Sequence, residues 1–172
     1  MPRSHQLLLA LAFLALGIAC LVIIGGCGRQ EKALSTGKVM TSTEVRATLP
    51  GYVGDTAYAV VRSTALPSLY DNFQTGLSRE GLIKWDARFD CNHFAALYVA
   101  LAQARYAVAA WQSSTPAQSL ALAEVWYHRD DGKGHAIVAA ITEHGLQFIE
   151  PQTGAVITPS ESERSNIYFC RW

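Results

Sequence analysis

The sequence predicts an α+β domain, and three observations carry that prediction. From Cys91 to Ala110, Phe94, Tyr98, Leu101, Ala102, Arg105 and Tyr106 recur at three- and four-residue steps, with alanines raising helix propensity throughout. Past Glu124 the period changes to two: Val125, Tyr127 and Arg129 alternate with Trp126 and His128. Turn-forming clusters at Asp130-Asp131-Gly132-Lys133-Gly134, Glu143-His144-Gly145 and Pro151 to Gly154 then cut the remainder into short strands. A helix followed by an antiparallel meander is an order in which the helix packs on the sheet.

The N-terminus stands apart from this domain. Arg3 precedes an apolar run from Leu7 to Ile24, and Ile24-Gly25-Gly26-Cys27 follows, an aliphatic residue and two small ones ahead of a cysteine. That pattern resembles the bacterial lipobox, in which Cys27 is the lipidated residue and the glycines fit the peptidase cut. A retained membrane helix is the other reading, since about 18 apolar residues is the lower edge of a span. Either way the rest of the chain is expected in the bacterial cell envelope, held to the membrane and facing the periplasm or exterior. The chain divides into a signal peptide over 1–27, a polar tether over 28–38 and one domain over 39–172.

Within that domain, Val39 to Pro50 mixes threonine and valine and ends at the Pro50-Gly51 turn. Tyr58 to Arg62 is short and apolar enough for strand or helix, and Ser68 to Leu77 forms a short helix after Pro67. Asp90 is the N-cap of the Cys91 helix. Ser113-Ser114-Thr115-Pro116 is a loop, and Leu120 to Ala123 extends a second short helix. Strands follow at His135 to Thr142, Leu146 to Glu150, Ala155 to Ile157 and Ile167 to Trp172.

Charge and motif content exclude several classes. Fourteen Lys and Arg balance fourteen Asp and Glu without a like-charge block, so no nucleic-acid footprint is present. No Cys-x-x-Cys or His-x-x-x-His pair suggests a metal, no glycine-rich loop suggests a phosphate cofactor, and no Gly-x-Ser-x-Gly elbow suggests a serine hydrolase.

A thiol at a helix start and a histidine at a strand start are what a cysteine nucleophile and its base require. The free amides of a first helical turn favour a thiolate at Cys91. They would also hold a developing oxyanion. His93 is two residues away and points to another side of the helix, so His135 is the better base. Glu150 is the candidate to orient His135, with Gln152 as alternative orienter, and Trp85 is a candidate indole donor to the oxyanion. Register is the test. A turn between Ile141 and His144 sets His135 opposite Glu150, whereas a tight turn at His144-Gly145 moves Glu150 opposite Val138, ~10 Å along the strand.

With these residues in view, the chain resembles transglutaminase-like and papain-fold cysteine enzymes. Asp90-Cys91-Asn92-His93-Phe94-Ala95 is similar to their nucleophile helix, Gly134-His135-Ala136-Ile137-Val138 to their histidine strand, and Phe148-Ile149-Glu150-Pro151 to the strand of the third member. Glutamate stands where such families usually have aspartate. The resemblance implies a papain-like core, a nucleophile-bearing helix packed on an antiparallel sheet. It implies a membrane-anchored hydrolase or acyl-transferase with a Cys91–His135–Glu150 triad and a thioester intermediate. The substrate would be a protein, peptide or peptidoglycan amide, with no cofactor. Cell-wall endopeptidases of the NlpC type share the aspartate-cysteine and glycine-histidine features and are the neighbouring alternative. The non-enzymatic alternative is an anchored binding domain in which Cys91 and Cys170 form a disulfide.

Overall fold

The computed structural model describes residues 33–172, apart from 83 and 112. The lipobox and Cys27 lie outside the described residues. The chain runs β1 (Ser35–Thr41), α1 (Ser42–Thr48), β2 (Ala57–Val61), a 3-10 turn, α2 (Leu66–Glu80) and α3 (Cys91–Ala110). It continues through β3 (Ser119–Leu120), β4 (Leu122–His128), β5 (Gly134–Thr142), β6 (Gly145–Ile149), β7 (Val156–Ile157), α4 (Glu161–Ser165) and β8 (Ile167–Arg171).

Among the described residues these strands form one eight-stranded sheet, with β1-β2-β5-β4-β8 as its spine and β3, β6 and β7 pairing at the sides. The sheet is mixed, because β2 runs parallel to both β3 and β5 while the other pairs are antiparallel. The expected papain-like core, one helix on an antiparallel sheet, is therefore corrected to an eight-stranded mixed sheet with α2 and α3 on one face and α1 on the other.

Two differences in the elements produce this correction. Leu120 to Ala123, expected as a helix, runs from the end of β3 through a bend at Ala121 into β4, every residue of it fully buried. A strand covered on both faces shows no polar alternation and reads like a helix segment. Residues 35–38, expected in the tether, form the start of β1, and the neighbouring Leu34 is buried beneath the sheet.

Alternation of side chains sends the strands into two separate cores. One face carries Leu122, Ala136, Val138, Ala140 and Ile149 against Phe94, Ala95 and Tyr98 of α3 and Leu69 and Phe73 of α2. Rings dominate this core: Phe73 stands 5.3 Å from Tyr98 and 6.2 Å from Phe94, centre to centre. The other face carries Ala123, Val125, Tyr127, Ile137 and Ala139 against Val45 of α1, Cys170 and Trp172.

α2 begins with Pro67 in its first turn and stops at Gly81 in a left-handed conformation, the usual asymmetry of helix ends. α3 begins at Asp90, where the His93 ring folds back so that Nδ1 lies 2.8 Å from Asp90 Oδ1. His93 thus serves the cap of its own helix. No helix among the described residues is long and apolar enough to cross a membrane.

Candidate functional site

The start of α3 and the adjoining ends of β4, β5 and β8 enclose a cleft of about 180 Å³. Asp90, Cys91, Asn92, Trp126, His135 and Tyr168 border it. Trp126 forms one wall and is fixed from behind, its indole nitrogen donating to Glu124 Oε1 at 2.7 Å. Glu124 is buried, and its other oxygen accepts from Arg171 Nη2 at 2.7 Å. Tyr168, with 55% of its surface exposed, stands edge-on to Trp126 and tilts over His128 at 4.7 Å between centres. Asn92 Oδ1, behind the cleft border, is buried and has no hydrogen-bond partner among the described residues.

His135 lies at the start of β5, opposite Tyr127, with the two rings edge to face at 5.7 Å. Its Nε2 sits 2.7 Å from Glu150 Oε2. The β5–β6 hairpin turns tightly, pairing Thr142 with Gly145 and Val138 with Ile149, which continues to Glu150 opposite Ile137. The tight turn was expected to separate His135 from Glu150. Instead Glu150 falls diagonal to His135, within reach for long side chains across a strand pair.

Burial tends to raise the Glu150 carboxyl. The His135 hydrogen bond, the Gln152 backbone amide at 3.2 Å and the charges of His135 and Arg129 outweigh it, and hold Glu150 below the usual glutamate range. Arg129 Nη2 stands 4.0 Å from the same carboxylate.

Cys91 and His135 border one cleft. Cys91 packs with Ala136 and Val138 against the core beneath α3, whereas alternation along β5 carries His135 toward the face of Tyr127 and Ile137. No hydrogen bond joins the Cys91 sulfur to His135 among the described residues. The structure therefore assembles the His135–Glu150 pair and sets Cys91 on the border of the same cleft.

Three other expectations are corrected. Gln152 approaches Glu150 through its backbone amide, its carbonyl accepts from Tyr70 at 3.0 Å, and no hydrogen bond joins its side chain to His135 among the described residues. Trp85 is 61% exposed and does not border the cleft. Cys91 and Cys170 are both free thiols, on opposite faces of the sheet, so the disulfide does not form. Burial pushes the Cys170 thiol up to about 12. Sequence reasoning missed Glu124, Tyr168 and Trp126 as parts of the site. Glu124 and Trp126 share a strand face through their spacing of two, the one signal that could have joined them.

No protein-family model and no curated protein matches the sequence. The fold is similar to that of two solved structures. One, "PSL1a-E64 complex", aligns with a TM-score of 0.59 at 20% identity, over 78% of this chain and 51% of that one. The other is the Polyporus squamosus lectin bound to the human-type influenza-binding epitope Neu5Aca2-6Galb1-4GlcNAc. It aligns with a TM-score of 0.58 at 19% identity, over 78% of this chain and 49% of that one. The chain thus spans about half the length of these structures, and the likeness is one of fold. The resemblance to transglutaminase-like and papain-fold enzymes is therefore replaced by a likeness to a lectin and to PSL1a, and the cysteine hydrolase or peptidase that the resemblance implied is not carried forward.

Proposed function

We propose that the chain is a binding domain that takes a saccharide in the cleft at the start of α3. One observation carries this reading: the cleft joins an aromatic wall of Trp126 and Tyr168 to a polar rim of Asp90 and Asn92. A sugar ring presents an apolar C–H face and a girdle of hydroxyls. The C–H face fits against Trp126 and the exposed ring of Tyr168. The hydroxyls meet Asp90 and Asn92 at the rim. The volume suits one ring of a longer glycan, with the remainder lying over the rim.

In this reading the candidate residues take binding and positioning roles. Cys91 forms part of the cleft wall, and His135 with Glu150 fixes the β5–β6 edge beside it. The glycan epitope bound by the Polyporus lectin supports the choice of ligand class. The lipobox supports a domain tethered through Cys27 at the outer side of a bacterial membrane, where glycans are accessible.

Isothermal titration with Neu5Acα2-6Galβ1-4GlcNAc and with its constituent monosaccharides tests the proposal. Saturable binding is expected, reduced about tenfold or more in Tyr168→Ala by loss of a stacking contact. Absence of binding to every saccharide would overturn it. So would permanent labelling of Cys91 by E64, the compound in the PSL1a structure, together with amide turnover lost in Cys91→Ala.

A further inference from the structure

A second and larger cleft, of about 410 Å³, opens beside the middle and C-terminal half of α3, where that helix meets β3 and the end of β8. Its walls carry two opposite charges, Asp55 from the loop before β2 and Arg171 from β8. Between them Val99, Ala104 and Ala107 present an apolar helix flank.

Most of the neutral polar groups around this cleft are already engaged. Gln103 is occupied by the Leu120 backbone, accepting from its amide at 2.8 Å and donating to its carbonyl at 3.0 Å. Gln118 Oε1 accepts both the amide and the hydroxyl of Thr56, at 2.9 and 2.8 Å. The charged groups retain capacity. Arg171 spends one nitrogen on Glu124 while its side chain remains about half exposed, and a guanidinium has five donors. The Asp55 carboxylate accepts no hydrogen bond among the described residues.

We propose that this cleft is a second ligand site, for a small zwitterion of the amino-acid or dipeptide class. The ammonium group would meet Asp55, the carboxylate would share the Arg171 guanidinium from the side opposite Glu124, and the aliphatic part would lie along Val99, Ala104 and Ala107. A simple cation placed there would face Arg171 and a simple anion would face Asp55, whereas a zwitterion is matched at both ends. The proposal stands independently of the saccharide reading, since the two clefts share no lining residue.

The test is a nuclear magnetic resonance titration of the folded protein with the dipeptide Ala-Ala, against N-acetyl-Ala-Ala-amide, in which both charges are removed. Saturable shifts are expected at Gln118, Ser119 and Arg171 with Ala-Ala and not with the blocked peptide. Asp55→Asn, at a partly exposed loop position, is expected to keep the fold and weaken the affinity about tenfold. Arg171→Gln should do the same, with folding checked by its spectrum because Glu124 loses its partner. Absence of saturable shifts, equal binding of the blocked peptide, or full affinity in folded Asp55→Asn would overturn the proposal.

Discussion

Replacing Glu124 by glutamine removes one charge from beneath α3 and changes almost no volume. In the native fold one carboxylate oxygen accepts the Trp126 indole N–H and the other the Arg171 guanidinium, each at 2.7 Å. Breaking a fully buried ion pair costs about 3–5 kcal/mol. Arg171 has 55% of its side chain exposed, however, so water takes over much of its lost partner and that share falls toward the surface-pair range of about 0–1 kcal/mol. The larger loss lies at Trp126. An amide presents one oxygen where two are used, so the indole or the guanidinium is left facing an N–H₂ group, at about 1–3 kcal/mol for a buried donor without acceptor. The expected total is about 2 kcal/mol, read as a lower urea midpoint at unchanged slope. The Trp126 indole proton should move in the nuclear magnetic resonance spectrum, and saccharide affinity should fall because a wall of the cleft has lost its anchor. Glu124→Gln with wild-type midpoint and an unmoved indole signal would refute the reasoning.

Four further outcomes follow from the same geometry. Phe73→Ala, at a fully buried ring touching Tyr70, Phe94 and Tyr98, is expected to cost about 3–5 kcal/mol in chemical denaturation, and Phe73→Leu distinctly less. Gly154→Ala places a methyl 2.6 Å from the Tyr70 ring at a backbone φ of +73°. It should therefore lower the melting temperature and loosen the loop that follows Glu150. Glu150 is held below its unfolded pKa of ~4.3, so its stabilising contribution is present above that value and is lost as pH falls through the lower folded pKa. Urea midpoints measured from neutral pH down to acid should show this loss in the wild type, and Glu150→Gln should lack that component. Of the two described thiols, partly exposed Cys91 should alkylate under native conditions, whereas Cys170, pushed up to about 12 by burial, should react only on unfolding.

The parts of the fold that were legible in the sequence are those whose local signals agree with their packing. The Cys91 helix has a capping aspartate, dense alanine and a clear periodicity, and it spans Cys91–Ala110 as the pattern predicts. β5 was legible through its β-branched run and flanking turns, and the β5–β6 hairpin through Gly145 at positive φ. The start of β4 was not, because its leucines and alanines are covered on both faces and no polar residue marks a face. The parallel pairing of β2 with β3 and β5 leaves no local trace, since it joins segments far apart in sequence.

The site divides along the same line. Cys91, His135 and Glu150 were conspicuous as residue types, and His135 does meet Glu150. Which core a strand side chain enters depends on strand parity, and parity follows from register rather than from residue type. Tyr168 and Trp126 stand together only because β8 returns beside β4, a tertiary event that their own sequence neighbourhoods do not announce.

The central claim is that the cleft at the start of α3 binds a saccharide and leaves it intact. A nuclear magnetic resonance titration of the wild type and of Cys91→Ala with Neu5Acα2-6Galβ1-4GlcNAc reads both halves at once, through the Trp126 indole signal and the ligand's own resonances. The account predicts saturable movement of the indole signal in both proteins, and ligand resonances unchanged over the course of the experiment. An unmoved indole signal, or ligand consumed by the wild type and spared by Cys91→Ala, would contradict it.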